Sequence, residues 1–289
     1  MSNQVPENLK ALEVTSAGKN WIDALPNLVD VCVRHWDLEN VGAPFGGSTV
    51  SLAFPAVRDA VPVVVKLQFP HDECRFEADA LKVWNGNGAV RLFGHLPEHN
   101  ALLLEHAQPG TYLSDNPNID HLGVVADLLK RLWVTTDFPF KRLCEQSEDW
   151  TTAFECELRI ATDTGERRLI RHAQDLLQEL LSTPMQEVLV HQDLHGQNIV
   201  SAQREPWLII DPKPLMGEKA FGLAPIVRSF EFGNTKSSML YRLDRMSEEL
   251  GINRERARSW TVVQTLAWGF EPRFKAKHRQ IIEWLIGTV

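Results

Sequence analysis

The feature that most constrains this sequence is a β-type interruption late in the chain. Val188 to His191, Ile199-Val200 and Trp207 to Asp211 are short apolar runs joined by polar turns, set inside sequence of helical period. Amphipathic helices precede it over His121 to Trp133, Trp150 to Ala161 and Arg167 to Leu181, and the remainder to Val289 reads as helix again. The first third has another character. A helical pattern of Trp21, Leu25, Leu28, Val29, Val31 and Cys32 ends near Trp36, and the period changes from Val41. Ser48 to Val57 and Val61 to Phe69 read as strands joined by an Arg58-Asp59-Ala60 hairpin turn. Pro70-His71-Asp72 opens a helix with Asp72 as its N-cap and Phe76, Ala80, Val83 and Trp84 on one face. Asn85-Gly86-Asn87-Gly88 stops it, and strands over Ala89 to Phe93 and Ala101 to Glu105 follow, parted by the turn Pro97-Glu98-His99-Asn100. A link near Glu105 to Gly110 leads into the helical part. This order predicts an α+β chain in two lobes, strand-rich over 1–106 and helical over 107–289.

Composition narrows the function classes. With 289 residues, 44% of them apolar and 24% charged, the chain has the balance of a globular protein of about two domains. Acidic residues outnumber basic ones 38 to 30, a formal charge of -8, which argues against nucleic acid as the main partner. Runs such as Val61 to Val65 and Ala101 to Leu104 are far too short to span a membrane, and the first twenty residues show no secretory pattern. Cys32, Cys74, Cys144 and Cys156 stand far apart, as reduced cytosolic thiols do. The expected setting is cytoplasmic; oligomeric state stays open.

The chemistry concentrates in His191-Gln192-Asp193-Leu194-His195-Gly196-Gln197-Asn198-Ile199-Val200. An Asp five positions before an Asn, flanked by strands, is the pattern of a phosphoryl-transfer loop. There the Asp orients or deprotonates an acceptor hydroxyl and the Asn holds Mg²⁺. Thirteen residues after Asn198, the strand Trp207 to Ile210 delivers Asp211, where a second metal ligand belongs. Such a pair suits the reaction because charge spreads over three phosphoryl oxygens and must be met by a fixed metal. Either half occurs by chance; both at this spacing are specific. His191, Asp193 and His195 also alternate as metal ligands on a strand do, which would suit a metallohydrolase. Gly196 and Gln197 do not continue such a series, and His191 reads better as a loop residue bonded to backbone.

The first third supplies the complement. Lys66 ends the apolar run Val63-Val64-Val65, in the manner of a lysine that grips α- and β-phosphates. Glu77 on the following helix is its expected partner, with Glu73 one turn earlier on the same face as the competitor. The bland reading of each is a snorkelling lysine and a solvated glutamate. Val41 to Thr49, with Gly46, Gly47 and Ser48, sits between two strands where a phosphate-covering loop would lie. Backbone groups of Glu105 and Ala107 fall where an adenine edge would bind.

Phe76 to Leu92, Ala101 to Glu105, the HQDLHGQNIV loop and Ile210 to Leu215, with Ala220-Phe221 and Leu223-Ala224-Pro225, resemble the aminoglycoside phosphotransferases, in their streptomycin kinase and hydroxyurea phosphotransferase branch. The motifs run from about Gly42 to Arg228, and Ile210-Asp211-Pro212-Lys213-Pro214 is the most branch-specific. The resemblance implies a protein-kinase-like bilobal fold, ATP with Mg²⁺, and phosphorylation of a small hydroxylated acceptor of the aminoglycoside kind, such as streptomycin. Two positions depart from the family. Gln192 stands where it has Gly, and Gly222 where it has an Asp that braces the catalytic loop, so a looser loop is expected.

A protein kinase fits less well, because Asp-Pro-Lys-Pro replaces Asp-Phe-Gly and no activation segment is evident. A metabolite kinase of unrelated substrate and a nucleotide-binding regulator that has lost turnover are the alternatives, although a pure binder has no need of Asp193. A groove for an aminoglycoside would need carboxylates on the helical lobe; Glu148, Asp149, Glu155, Glu218 and Glu271 are the candidates.

Overall fold

The computed structural model describes residues 6–270 and 272–287. Two compact units emerge from the fold: the chain up to Gly110 together with Ser201–Leu208, and Thr111–Val200 together with the chain from Ile209 onward.

The first unit starts with α1 (Ser16–His35), where the Thr15 hydroxyl accepts the Gly18 N–H and satisfies one of the amides left over at a helix start. Its apolar positions Trp21, Ile22, Leu25, Val29 and Cys32 bury one face against β1 (Ser51–Arg58) and β2 (Val61–Gln68). Those strands form a hairpin whose turn residues Asp59 and Ala60 both have positive φ, 49° and 63°, the twist that two-residue hairpin turns require. α2 (Glu77–Trp84) ends on Asn85 in the left-handed region. β3 (Leu92–Leu96) and β4 (Ala101–Glu105) complete an antiparallel sheet of order β1-β2-β4-β3. Two expectations are corrected here. Asp72 caps no helix: it lies in a short 3-10 turn, Asp72–Cys74, without a side-chain cap, so Glu73 sits outside α2 rather than on the face of Glu77. β3 also starts three residues later than the apolar run, because Ala89 and Val90 are buried in the turn that leads into it.

β5 (Pro109–Tyr112) follows β4. The second unit is mostly helical, with α3 (His121–Leu132), α4 (Leu143–Ile160) and α5 (Thr164–Ser182) before the interruption. α4 starts seven residues before the periodicity suggests, helped by the Glu145 carboxylate accepting the Arg142 N–H at 2.8 Å. Then come β6 (Glu187–Val190), β7 (Ile199–Ala202), β8 (Trp207–Ile209) and β9 (Leu215–Glu218). β9 corrects the all-helical reading of the remainder. Leu-Met-Gly-Glu has no β-branched residue and no clear period, and antiparallel pairing with β6 makes it a strand. α6 (Ala224–Arg228), α7 (Lys236–Leu250), α8 (Arg254–Ala267) and α9 (Pro272–Ile286) close the chain. α8 is the centre of this unit. Trp260, Val262 and Val263 are buried, and Trp260 meets Phe221 edge to face with ring centres 5.4 Å apart. No helix among the described residues is long and apolar enough to cross a membrane.

Candidate active site

In the second unit the loop after β6 is built from its buried end. His191 is buried; its Nε2–H donates to the Ile210 carbonyl at 3.0 Å and its Nδ1 accepts the Asp193 N–H at 3.3 Å. Burial pushes its pKa down to about 4, so the ring is neutral, as that donor–acceptor pattern requires. It is a structural histidine, and the described residues hold no cluster of three or more His, Cys, Asp and Glu suited to a metal. Gln192 then turns the chain at φ 65°, a left-handed conformation that favours glycine and costs other residues roughly 1–2 kcal/mol. This explains why glycine is at home here. In this chain the turn is held from outside: Gln264 Nε2 donates to the Gln192 carbonyl at 3.1 Å, and the Gln192 side-chain amide donates to Lys213 O at 3.3 Å.

Asp193 follows the turn. Its carbonyl accepts the Asn198 side-chain N–H at 2.9 Å, closing the loop on itself. Its carboxylate faces two cations: Lys213 Nζ is 3.2 Å from Oδ2 and an Arg228 nitrogen 3.8 Å from Oδ1. Both cations lie over the Trp268 ring, 5.0 Å and 4.3 Å from its centre. Arg228 is buried and donates to Gln264 Oε1 at 2.5 Å; burial lowers its pKa to about 10, which leaves it charged at neutral pH. At the far end of the loop Glu231 accepts the Gly196 N–H and pairs with His195 Nδ1 at 2.8 Å. Burial opposes the charge on His195, but the bond to Glu231 and the nearby carboxylates outweigh it and raise its pKa. Burial likewise opposes the charge on Glu231, and His195 with the loop amides brings its pKa below the usual value. Asp211 stands just past β8 at φ 54°.

Gly222 lies in a 3-10 turn outside the left-handed region, where a Cβ would meet Trp133 Nε1 at 3.1 Å. Around the loop, Glu231, Gln264 and the Asn198 side chain supply hydrogen bonds to Gly196 N–H, Gln192 O and Asp193 O. Glu231, Lys213, Arg228, Gln264 and Trp268 escaped the reading of the sequence for function. Only Lys213 carried a signal, as part of the branch-specific Ile-Asp-Pro-Lys-Pro run. The proposed acceptor carboxylates are occupied elsewhere: Asp149 pairs with Lys141 at 2.7 Å, Glu155 with Arg159 at 3.7 Å, and Glu218 is buried against Arg256 at 2.7 Å. Glu148 is exposed on α4, and Glu271 lies outside the described residues.

In the first unit Lys66 and Glu77 overturn the bland reading. Both are buried, and Lys66 Nζ donates to Glu77 Oε1 at 2.7 Å and Oε2 at 2.6 Å. Gln68 donates to the same carboxylate at 2.6 Å. The glycine-rich segment has only one regular strand beside it. Residues 39–45 run back along β1 as an irregular edge, with the Gly42 N–H on Pro55 O and the Phe45 N–H on Ala53 O, both 2.8 Å. The Gly46-Gly47-Ser48 tip lies between that edge and β1. Nothing stands within 4 Å of a Cβ at Gly46 or Gly47, and Gly47 has φ 102°. Ser48 Oγ accepts the Ser51 N–H at 3.1 Å and fixes the end of the turn. At the end of β4 the Glu105 carboxylate is gripped by Arg204 through two bonds of 2.9 Å, and Arg204 also donates to the Gly86 and Ala89 carbonyls. Sequence reading missed Arg204, which stands alone in a polar hairpin. Ala107 follows, between β4 and β5.

Comparison with known proteins bears on this geometry. Residues 35–271 match the family described as aminoglycoside/hydroxyurea antibiotic resistance kinase. The chain is 34% identical to a streptomycin 6-kinase of Streptomyces glaucescens, over 93% of this chain and 91% of that protein. It is 36% identical to a hydroxyurea phosphotransferase of Kitasatospora aureofaciens, over 93% of this chain and 81% of that one. Among solved structures, a choline kinase from Streptococcus pneumoniae superposes with a TM-score of 0.68 at 14% identity, covering 91% of this chain and 99% of that one. An aminoglycoside phosphotransferase in ternary complex with AMP-PNP and hygromycin B gives 0.64 at 14% identity, covering 91% and 95%.

Proposed function

We propose residue roles for a chain that belongs to the aminoglycoside/hydroxyurea antibiotic resistance kinase family. As a member it transfers phosphate from ATP to a hydroxyl group of a small molecule, on an α+β, kinase-like fold. The observation that carries the assignment is Asp193: a half-buried carboxylate on a loop braced at both ends, followed by Asn198 and Asp211.

Asp193 orients the acceptor hydroxyl and receives its proton as the acceptor oxygen bonds to the γ-phosphorus and the bond to the bridging oxygen of ADP breaks. Lys66, fixed by Glu77, grips the α- and β-phosphates. Gly46, Gly47 and Ser48 cover the phosphates with backbone alone, since a Cβ there would have open space but Gly47 could not keep its φ. Backbone groups of Glu105 and Ala107 meet the adenine edge, with Arg204 holding the Glu105 side chain clear of it.

Mg²⁺ fits the donors present. The Asn198 N–H₂ is turned to Asp193 O, so its Oδ1 is the atom that remains for an ion, and Asp211 adds a carboxylate. A few oxygen donors completed by phosphates and water are what Mg²⁺ takes. When bound, the ion neutralises charge on the phosphates. A cytosolic setting, with ATP at hand and four unpaired cysteines, goes with this reading.

The acceptor is a hydroxylated small molecule of the kind that names the relatives. Streptomycin is the first choice, because one of those relatives, matched over 91% of its length, is a streptomycin 6-kinase. A neutral acceptor such as hydroxyurea has one observation in its favour: Lys213 and Arg228 face Asp193, so the surroundings of the proposed base are cationic. Incubating the chain with ATP and either compound, and following the product by phosphorus NMR, tests both. A phosphate ester on streptomycin supports the first choice; phosphate on hydroxyurea alone replaces it, and phosphate on neither overturns this acceptor class.

A further inference from the structure

We propose that Lys213 is a catalytic residue that contacts the transferring phosphoryl group, an inference that rests on the kinase reading and adds a residue to it. The roles given above leave that group with one charge partner, the metal held by Asn198 and Asp211. Phosphoryl transfer spreads negative charge over three oxygens, and a fixed cation beside them is worth more in the transition state than in the ground state. The loop itself offers none. His195, two residues after Asp193, is tied to Glu231 and turned toward it. Two cations remain near the base, and their environments separate them.

Arg228 is buried, bonded to Gln264 and stacked on Trp268, 3.8 Å from Asp193 Oδ1. It cannot advance without breaking that packing, so it positions the carboxylate. Lys213 has a side chain 26% exposed on a flexible four-carbon stem, with its Nζ 3.2 Å from Asp193 Oδ2. Its backbone is pinned on both sides, since its N–H donates to His191 O at 3.1 Å and its carbonyl accepts the Gln192 amide. It also stands two residues beyond Asp211. A cation beside the base, and two residues along the chain from the proposed metal ligand Asp211, is placed to meet the group in flight as the acceptor oxygen attacks from the Asp193 side. In that step the acceptor O–P bond forms, the P–O bond to ADP breaks, the proton goes to Asp193, and Lys213 donates hydrogen bonds to a phosphoryl oxygen without gaining or losing a proton.

The test uses Mg·ADP with and without aluminium fluoride, a planar mimic of the transferring group, and measures binding by calorimetry for the unmodified chain, Lys213→Met and Lys213→Arg. The unmodified chain should bind Mg·ADP, and aluminium fluoride should tighten it. Lys213→Met should bind Mg·ADP within about twofold of the unmodified chain but lose at least tenfold of the tightening, with kcat down by about 10²-fold on whichever acceptor is turned over. Lys213→Arg should restore part of both. Unfolding temperatures identify a variant that has merely lost its structure, and the arginine variant keeps the cation–π contact with Trp268. Full tightening in Lys213→Met would overturn the proposal. So would equal losses of Mg·ADP affinity and of tightening, which mark a structural role. Failure of the unmodified chain to bind Mg·ADP at all would bring down the kinase reading itself, a result distinct from either.

Discussion

The two groups of proposed site residues are built in opposite ways. In the first unit Lys66 and Glu77 are eleven residues apart, on a strand and the next helix, and meet in a buried pair whose carboxylate also accepts from Gln68. In the second unit Asp193 is held by groups from far along the chain: Lys213, Arg228, Glu231 and Gln264. The first arrangement is local in sequence, the second distributed. In the proposed roles, a grip on a nucleotide tolerates a rigid pair, whereas a base that meets an acceptor hydroxyl needs one face clear, so its support has to come from the other sides.

The sharpest way to break this comparison is at its reacting end. Asp193→Asn keeps the shape of the side chain and the loop bonds through its backbone, but removes the proton acceptor. Phosphate transfer should fall by about 10²–10⁴-fold, the range for a positioned base, while KM for ATP stays within about twofold. Steady-state kinetics on the acceptor that the NMR experiment identifies would check it, and unchanged turnover would remove Asp193 from its role. Next in size is the Lys66–Glu77 pair. Glu77→Gln removes the carboxylate charge that the buried Lys66 Nζ meets at 2.6 Å, and breaking such a pair from one side costs about 3–5 kcal/mol. Urea unfolding should show that loss, with a raised KM for ATP. Turnover should fall less than in Asp193→Asn.

The same contrast governs what the sequence made legible. Lys66, Glu77, Asp193, Asn198 and Asp211 are each recognisable because a short local pattern carries them: an apolar run ending in a cation, a helix one turn on, a loop of fixed length between strands. The hairpin of β1 and β2 was readable for that reason too. Glu231, Gln264 and Arg204 were not, because nothing near them in sequence marks them, and their partners lie 35, 72 and 99 residues away. β9 was missed on the same grounds: four residues with weak propensity become a strand only through β6.

A third variant asks whether those braces matter to rate. Glu231→Gln keeps one acceptor for the Gly196 N–H but removes the charge that pairs with His195. Turnover should fall by roughly tenfold, the scale of losing a group that orients a site from behind. Its stability effect should depend on pH. His195 has a pKa raised above 6.5, so its share of the pairing is full below 6.5 and fades as pH rises through the higher folded value. Glu231 has a pKa lowered below 4.5, so its share is full above 4.5 and fades as pH falls through the lower folded value. The gap in unfolding temperature between the unmodified chain and Glu231→Gln should be widest between 4.5 and 6.5 and narrow on both sides. A gap constant across that range would mean that the pair carries no charge.

The smallest effect separates backbone from side chain at the start of the loop. Gln192 occupies a left-handed turn at φ 65°, and its two bonds differ in kind. The carbonyl that accepts from Gln264 belongs to the backbone and survives any substitution, whereas the amide that donates to Lys213 O belongs to the side chain. Gln192→Gly therefore relieves a backbone cost of roughly 1–2 kcal/mol. Against this it loses a long hydrogen bond worth about 0.5–1.5 kcal/mol and gains up to about 1 kcal/mol of unfolded-state entropy. These terms nearly cancel, so the unfolding temperature should move by only a few degrees and turnover by less than about twofold. Gln264→Leu makes the opposite cut. It spares the turn residue but strips the Gln192 carbonyl and the Arg228 guanidinium of their shared partner, and turnover should drop well beyond the effect of Gln192→Gly. If the two variants behave alike, the loop is held by its own turn and the distributed support described for the second unit is not what fixes Asp193. If only Gln264→Leu is slow, the brace that comes from 72 residues away sets the geometry, and the departure from glycine at position 192 is a tolerated one.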